Sequence, residues 1–152
     1  MVAAGMGYSN AELQKRTPKL TFSPANAVLW AEIPVRDIER SIAFYNEVFG
    51  FGLTRQEGGR NPISFIQTSP QEGVSAHFYP GTPARDGSGP TVHLAVPDAL
   101  EKASARFEAA GGTLKSPIID IPAGRTQLPN GRFCYAIDPD GNSIALFESE
   151  IK

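Results

Sequence analysis

The sequence predicts an α+β fold: two tandem β-α-β-β-β modules whose eight strands form one curved sheet around a cup. Three observations predict it. A strand-and-helix pattern occurs twice, with Val35, Asp37 and Gly50 matched by Val96, Asp98 and Gly111, each sixty-one residues later. A duplication of this kind fixes the architecture ahead of any single element. Apolar periodicity switches between 2 and 3.6 in the same order in both copies. Gly81 to Pro90 is rich in Gly, Pro and Ser and carries no apolar pattern, so it reads as a linker between the copies. One copy alone would leave a sheet face bare; two side by side make a concave face, where small molecules bind.

Residues 1–27 differ from the rest. Asn10 to Arg16 has the makings of a short helical turn, and Thr17-Pro18 and Ser23-Pro24 stop any continuation. The segment reads as an arm, in part disordered or laid across a neighbouring surface. One domain then spans 28–150, with module one over 28–80, the linker over 81–90 and module two over 91–150. In module one, Leu29 to Val35 alternates as a strand, with Trp30, Glu32 and Pro34 sharing a face. Asp37 is placed to cap a helix whose apolar face is Ile38, Ile42, Tyr45 and Phe49, and Gly50 supplies its left-handed stop. Strands follow over Phe51 to Glu57, Pro62 to Thr68 and Val74 to Tyr79. In module two, Thr91 opens the strand, and Asp98 is placed to cap a helix with Leu100, Ala103, Phe107 and Ala110 on its apolar face. Gly111-Gly112 ends the helix and Thr113 to Lys115 starts a strand. Ser116 to Gly131 reads as a long loop, a length often associated with lids. Phe133 to Ile137 and Ser143 to Glu148 are strands around the turn Asp138-Pro139-Asp140-Gly141-Asn142.

The chain has 152 residues, 41% hydrophobic and 20% charged, enough for one domain with a proper core. A net charge of −2 without a basic patch gives no sign of a nucleic-acid partner. The single cysteine, Cys134, leaves no disulfide framework and fits a reducing compartment. No apolar run approaches the roughly 18 residues of a membrane span, and no signal peptide is indicated, so a cytoplasmic protein is expected.

The order and spacing of Pro34-Val35-Arg36-Asp37, Phe44-Tyr45, Phe49-Gly50-Phe51, Ala110-Gly111-Gly112 and Asp138-Pro139-Asp140-Gly141-Asn142 resemble the vicinal oxygen chelate superfamily. That superfamily contains lactoylglutathione lyases (glyoxalases), extradiol dioxygenases and bleomycin-resistance proteins. Trp30 to Val35 is similar to its subgroup of predicted enzymes related to lactoylglutathione lyase. The resemblance implies a glyoxalase-like cup, a small-molecule ligand and a homodimer. It also implies four ligand positions for a divalent metal. Here these hold Trp30, Thr91, Ala145 and one residue within Ser75 to His77, and of these only His77 suits a metal. The usual metal site is therefore expected to be largely lost. The cofactor is unknown; a divalent metal would have to use Glu32, His77 and His93.

Glu32 and His93 occupy equivalent positions three residues before the motif valine, and they are expected to meet across the pseudo-twofold axis. They are the candidate catalytic pair, Glu32 as base and His93 as electrophile, in lyase, isomerase or dioxygenase-like chemistry. Candidate substrate-binding residues are Trp30, His77, Tyr79, Thr91, Tyr135 and Arg125. Trp30 and Tyr79 offer ring faces, Tyr135 a further phenol, and Arg125 a fork for carboxylate or phosphate. The other reading is a protein that sequesters a flat aromatic compound without chemistry. Cys134 reads as packing, since no base is placed beside it.

Overall fold

The computed structural model describes residues 27–57, 59–67, 74–121 and 130–150. The expected arm, apart from Ala27, lies outside the described residues. Module one runs β1 (Ala31–Val35), α1 (Ile38–Phe49), β2 (Gln56–Glu57), β3 (Pro62–Gln67) and β4 (Val74–Pro80). Module two runs β5 (Val92–Ala95), α2 (Leu100–Ala109), β6 (Thr113–Leu114), β7 (Ile119–Ile121), β8 (Gly131–Ile137) and β9 (Ser143–Ser149). The linker between them contains one turn of 3-10 helix, Arg85–Gly87.

The α+β class and the duplicated order are as the sequence predicts. In detail, the strands divide into a four-stranded sheet, β1-β4-β3-β2, and a five-stranded one, β5-β9-β8-β6, with β7 also on β8. β1 runs parallel to β4 and β5 parallel to β9, so the duplication extends to the pairing. β6 and β7 lie one after the other along β8, where a single edge strand and a long loop were expected. The break falls at Ser116-Pro117. Proline has no amide to donate, and the Ser116 hydroxyl accepts from the Tyr135 amide at 2.9 Å in place of a backbone partner. The strand expected from Phe51 shrinks to Gln56–Glu57. Gly52 is left-handed (φ 65), and the Asn46 side chain bonds both Leu53 N and Leu53 O, holding the preceding residues as a loop.

Asp37 caps α1, accepting from the Arg40 amide at 3.1 Å, and Gly50 (φ 68) ends it. The buried face is Ile38, Ser41, Phe44, Tyr45, Val48 and Phe49, with Ile42 at its margin. Asp98 does not cap α2. Its carboxylate is taken by Arg106, at 2.7 and 2.8 Å, and Arg106 also donates to the Val48 carbonyl at the end of α1. The Leu100 amide at the start of α2 instead donates to Glu148 of strand β9 at 3.0 Å. The two helices meet through Phe44 and Phe107, edge to face at 5.2 Å. Gly112 is required beneath them, because a Cβ there would fall 2.1 Å from the Phe107 ring.

The turn 138–142 is more than a turn. Asp138 and Asp140 are buried and are spent on module one. Asp138 accepts from the Tyr45 hydroxyl at 2.7 Å and from its own turn amides, those of Asp140 and Asn142. Asp140 accepts from the Arg36 amide, the Arg40 guanidinium and the Ser41 hydroxyl at 3.0–3.1 Å. The Asn142 amide donates to the Pro34 carbonyl at 2.9 Å. Buried carboxylates are tolerated only with such partners. Together these bonds latch the hairpin of the second sheet onto the β1–α1 junction of the first.

Candidate functional site

Both helices pack on the same side of their sheets as the core residues Ile33, Val35, Ile66, Ala76, Phe78, Leu94, Ile144 and Leu146. Alternation turns the intervening residues to the opposite faces, and on the second sheet Ile121, Phe133 and Ala145 form a small buried cluster there, with Phe147 against it and His93 and Tyr135 exposed beside it. On the first sheet, register aligns Glu32, His77 and Phe65 in one row across β1, β4 and β3. Pro34 and Tyr79 stand beside each other in the next row. On the second sheet, the equivalent rows are His93, Ala145 and Tyr135, then Ala95, Phe147 and Phe133. The register thus singles out His77 as the counterpart of Ala145.

Glu32 does not pair with His93. Its carboxylate lies 3.6 Å from His77 Nε2, on the neighbouring parallel strand of its own module. The Glu32 side chain is 58% exposed and that of His77 only 16%, so the imidazole is held while the carboxylate is accessible. The His77 ring sits 5.7 Å from Phe65 and 6.1 Å from Tyr79. Glu32 lines a cleft of about 380 Å³ with Pro34, Pro90, Val92 and Ser143. His93 lines a different one of about 350 Å³, with Ile66, Ser75, Ala76 and Val92. The pseudo-twofold equivalence inferred from the sequence holds for position in the sheet, yet Glu32 and His93 line separate clefts, each bordered by residues of the other module.

His93 is surrounded by rings instead: Phe133 at 5.2 Å, Tyr135 at 6.1 Å and Phe147 at 6.5 Å. Partial burial pulls its imidazole below the usual histidine range, which leaves it neutral at pH 7. Tyr135 is 41% exposed, and Trp30, just before β1, 52%. The Thr91 hydroxyl is engaged with Ser143 at 2.7 Å. Arg125 lies outside the described residues. Cys134 is buried on the helix side near Ser104, and burial pushes its thiol up, away from the reactive thiolate.

The metal positions implied by the resemblance hold Trp30, Thr91 and Ala145, an indole, an engaged hydroxyl and a buried methyl. Among the described residues, no three His, Cys, Asp or Glu side chains stand close enough to hold an ion. Glu32 and His77 are together, but His93 does not join them, so this donor set does not fit the metal that the resemblance implies.

Sequence reasoning missed Phe65, Phe133 and Phe147. All three lie in stretches that read as strands, and alternation marks which neighbours share their face. What could not be read was the register that brings Phe65 to His77 and Phe133 to His93.

The family model described as Glyoxalase/Bleomycin resistance protein/Dioxygenase superfamily matches residues 27–146. Among solved structures, a glyoxalase-related enzyme from Fulvimarina pelagi is similar at 21% identity and a TM-score of 0.56, over 83% of this chain and 91% of that one. The fosfomycin resistance protein FosX from Mesorhizobium loti is similar at 19% identity and a TM-score of 0.53, over 80% and 91%. FosX from Listeria monocytogenes is similar at 16% identity and a TM-score of 0.56, over 86% and 96%. At these identities the likeness is one of fold.

Proposed function

Because the chain belongs to the Glyoxalase/Bleomycin resistance protein/Dioxygenase superfamily, we propose that it binds a small organic molecule on its open sheet faces, with Glu32 serving there as a general base. The observation that carries this reading is the pair of Glu32 and His77, 3.6 Å apart on adjacent strands and flanked by Phe65 and Tyr79. An accessible carboxylate beside a held imidazole is suited to taking a proton from carbon next to a carbonyl, while the imidazole hydrogen-bonds the developing enolate oxygen. That is lyase or isomerase chemistry. The donor set does not fit the family's metal, and the proton transfer uses these two side chains alone.

The test is solvent exchange. Incubated in D₂O with a panel of 2-keto acids and α-hydroxy ketones, the wild-type chain should incorporate deuterium at the C–H carbon next to the ketone of at least one. Glu32→Gln should lose about 10²–10⁴ of that rate, the usual share of a general base. Exchange that persists at full rate in the variant overturns the assignment of Glu32. Tight binding without any exchange favours the second reading, a sequestering protein, which the ring cluster around His93 supports. The chain is also proposed to form a homodimer in the cytoplasm. Val28, Leu29 and Trp30, 77%, 73% and 52% exposed, leave apolar surface beside the outer strand β1. A monomer mass by light scattering at micromolar concentration would sink the dimer.

A further inference from the structure

We propose that the open face of the second sheet is a platform for a planar aromatic carboxylate, its ring lying on Tyr135 and His93 and its carboxylate reaching Lys115. This rests on the reading that the open faces take a small molecule, and it names the class of ligand. His93 lies 5.2–6.5 Å from Phe133, Tyr135 and Phe147, and Phe133 lies 5.1 Å from Tyr135, across three strands. Ala145, between His93 and Tyr135 in the row, is fully buried beneath these rings. Phe133 is buried among them, while His93 and Tyr135 are exposed, so these two rings offer faces and edges on which a flat molecule can lie, beside the cleft that His93 lines.

The Lys115 amide donates to the Tyr135 carbonyl at 2.8 Å, so the two residues stand opposite each other on neighbouring chain segments. Leu114 packs on the core side, and alternation sends Lys115 to the face of Tyr135. Strands lie about 4.8 Å apart, so a lysine stem spans the distance from its own backbone to a group lying over the neighbouring ring. The carboxylates of this sheet go the other way. Asp120 and Glu148 fall in one row with Arg132, and Glu148 is engaged by Arg132 and the Leu100 amide. Among the described residues, the strands of this sheet place no carboxylate on that face, and Lys115, just past β6, brings an ammonium to it. The neutral imidazole of His93 adds a ring there without adding charge.

The experiment is calorimetric titration of the full chain with 2-naphthoate and with its neutral isostere 2-naphthamide. The acid should bind about tenfold more tightly than the amide. Lys115→Gln, at an exposed position, should erase that preference while leaving the amide unchanged. Tyr135→Ala should weaken both ligands by about tenfold. Acid and amide binding equally to wild type would overturn this inference and leave the broader small-molecule reading standing. So would a preference that survives in Lys115→Gln. Failure of both probes to bind at millimolar concentration, with a dimer that Tyr135→Ala dissociates, would overturn it in favour of a face that pairs with a second copy.

Discussion

Tyr45 is the residue on which the two modules most visibly depend. It is 1% exposed, stacks near Phe49 and Phe78, and gives its hydroxyl to Asp138. Burial, then the adjacent Asp138 carboxylate, push its phenol well above the ordinary value of 10.0. The folded pKa is raised, so its stabilising contribution is fully present below about pH 10. It declines above that, as the unfolded chain's phenol ionises and the folded one does not, and is gone once pH passes the folded value. Unfolding free energy measured in urea should therefore fall between pH 9 and 11, and Tyr45→Phe should flatten that fall. At pH 7 the same variant leaves Asp138 one buried partner short and should cost about 1–3 kcal/mol. None of this could be read from Phe44-Tyr45 in the sequence, where the helical spacing marks Tyr45 as core but gives no partner. Glu32 is the converse case. Its place on an open face was legible from alternation, whereas its partner was not, because His77 is supplied by the register of a strand forty-five residues away.

At the scale of elements, helix α2 shows where local signals stop. Asp98 repeats Asp37 in the duplication, and a cap was the natural expectation. Arg106, two turns further on, takes its carboxylate, and the first turn of α2 is served by Glu148 from β9. Its neighbouring Arg132 bridges Glu148 and Glu101, so strand and helix share one cation. The Leu100 amide and Arg132 both hold the Glu148 carboxyl below its usual range. Glu148→Ala should then cost about 1 kcal/mol, the usual magnitude of a lost helix cap. Native-state hydrogen exchange should show faster opening of the first turn of α2, and α1, capped by its own Asp37, should be unaffected. The strands themselves were mostly legible: β1, β3 and β4 alternate, and β8 and β9 are short apolar runs bounded by turn residues. β7 was not. It is three residues of which only Ile121 is buried, isolated behind Pro117, and its pairing with β8 is a tertiary fact.

For the whole molecule, the duplication was the most legible feature, since the spacing of Val35, Asp37 and Gly50 recurs without a gap in Val96, Asp98 and Gly111. It gave two modules of like order, and the structure shows like pairing within each. It did not show that the modules are joined asymmetrically. Asp138, Asp140 and Asn142 of module two grip the start of module one through Tyr45, Ser41, Arg36 and Pro34. Nor did it show that equivalent positions have diverged into different chemistries. One open face carries the accessible carboxylate of Glu32 with His77, and the other carries rings with His93 at their centre. Trp30, Thr91 and Ala145, at the positions of the family's metal ligands, mark the same divergence from the other side.

The two histidines of the chain report separately on these two faces. Imidazole correlation spectra of wild type and of Glu32→Gln, recorded at the same pH, test directly whether Glu32 works with His77 of its own module. The geometry predicts that the ring resonances of His77 move and those of His93 stay in place. Movement of His93 with His77 unchanged would contradict the account.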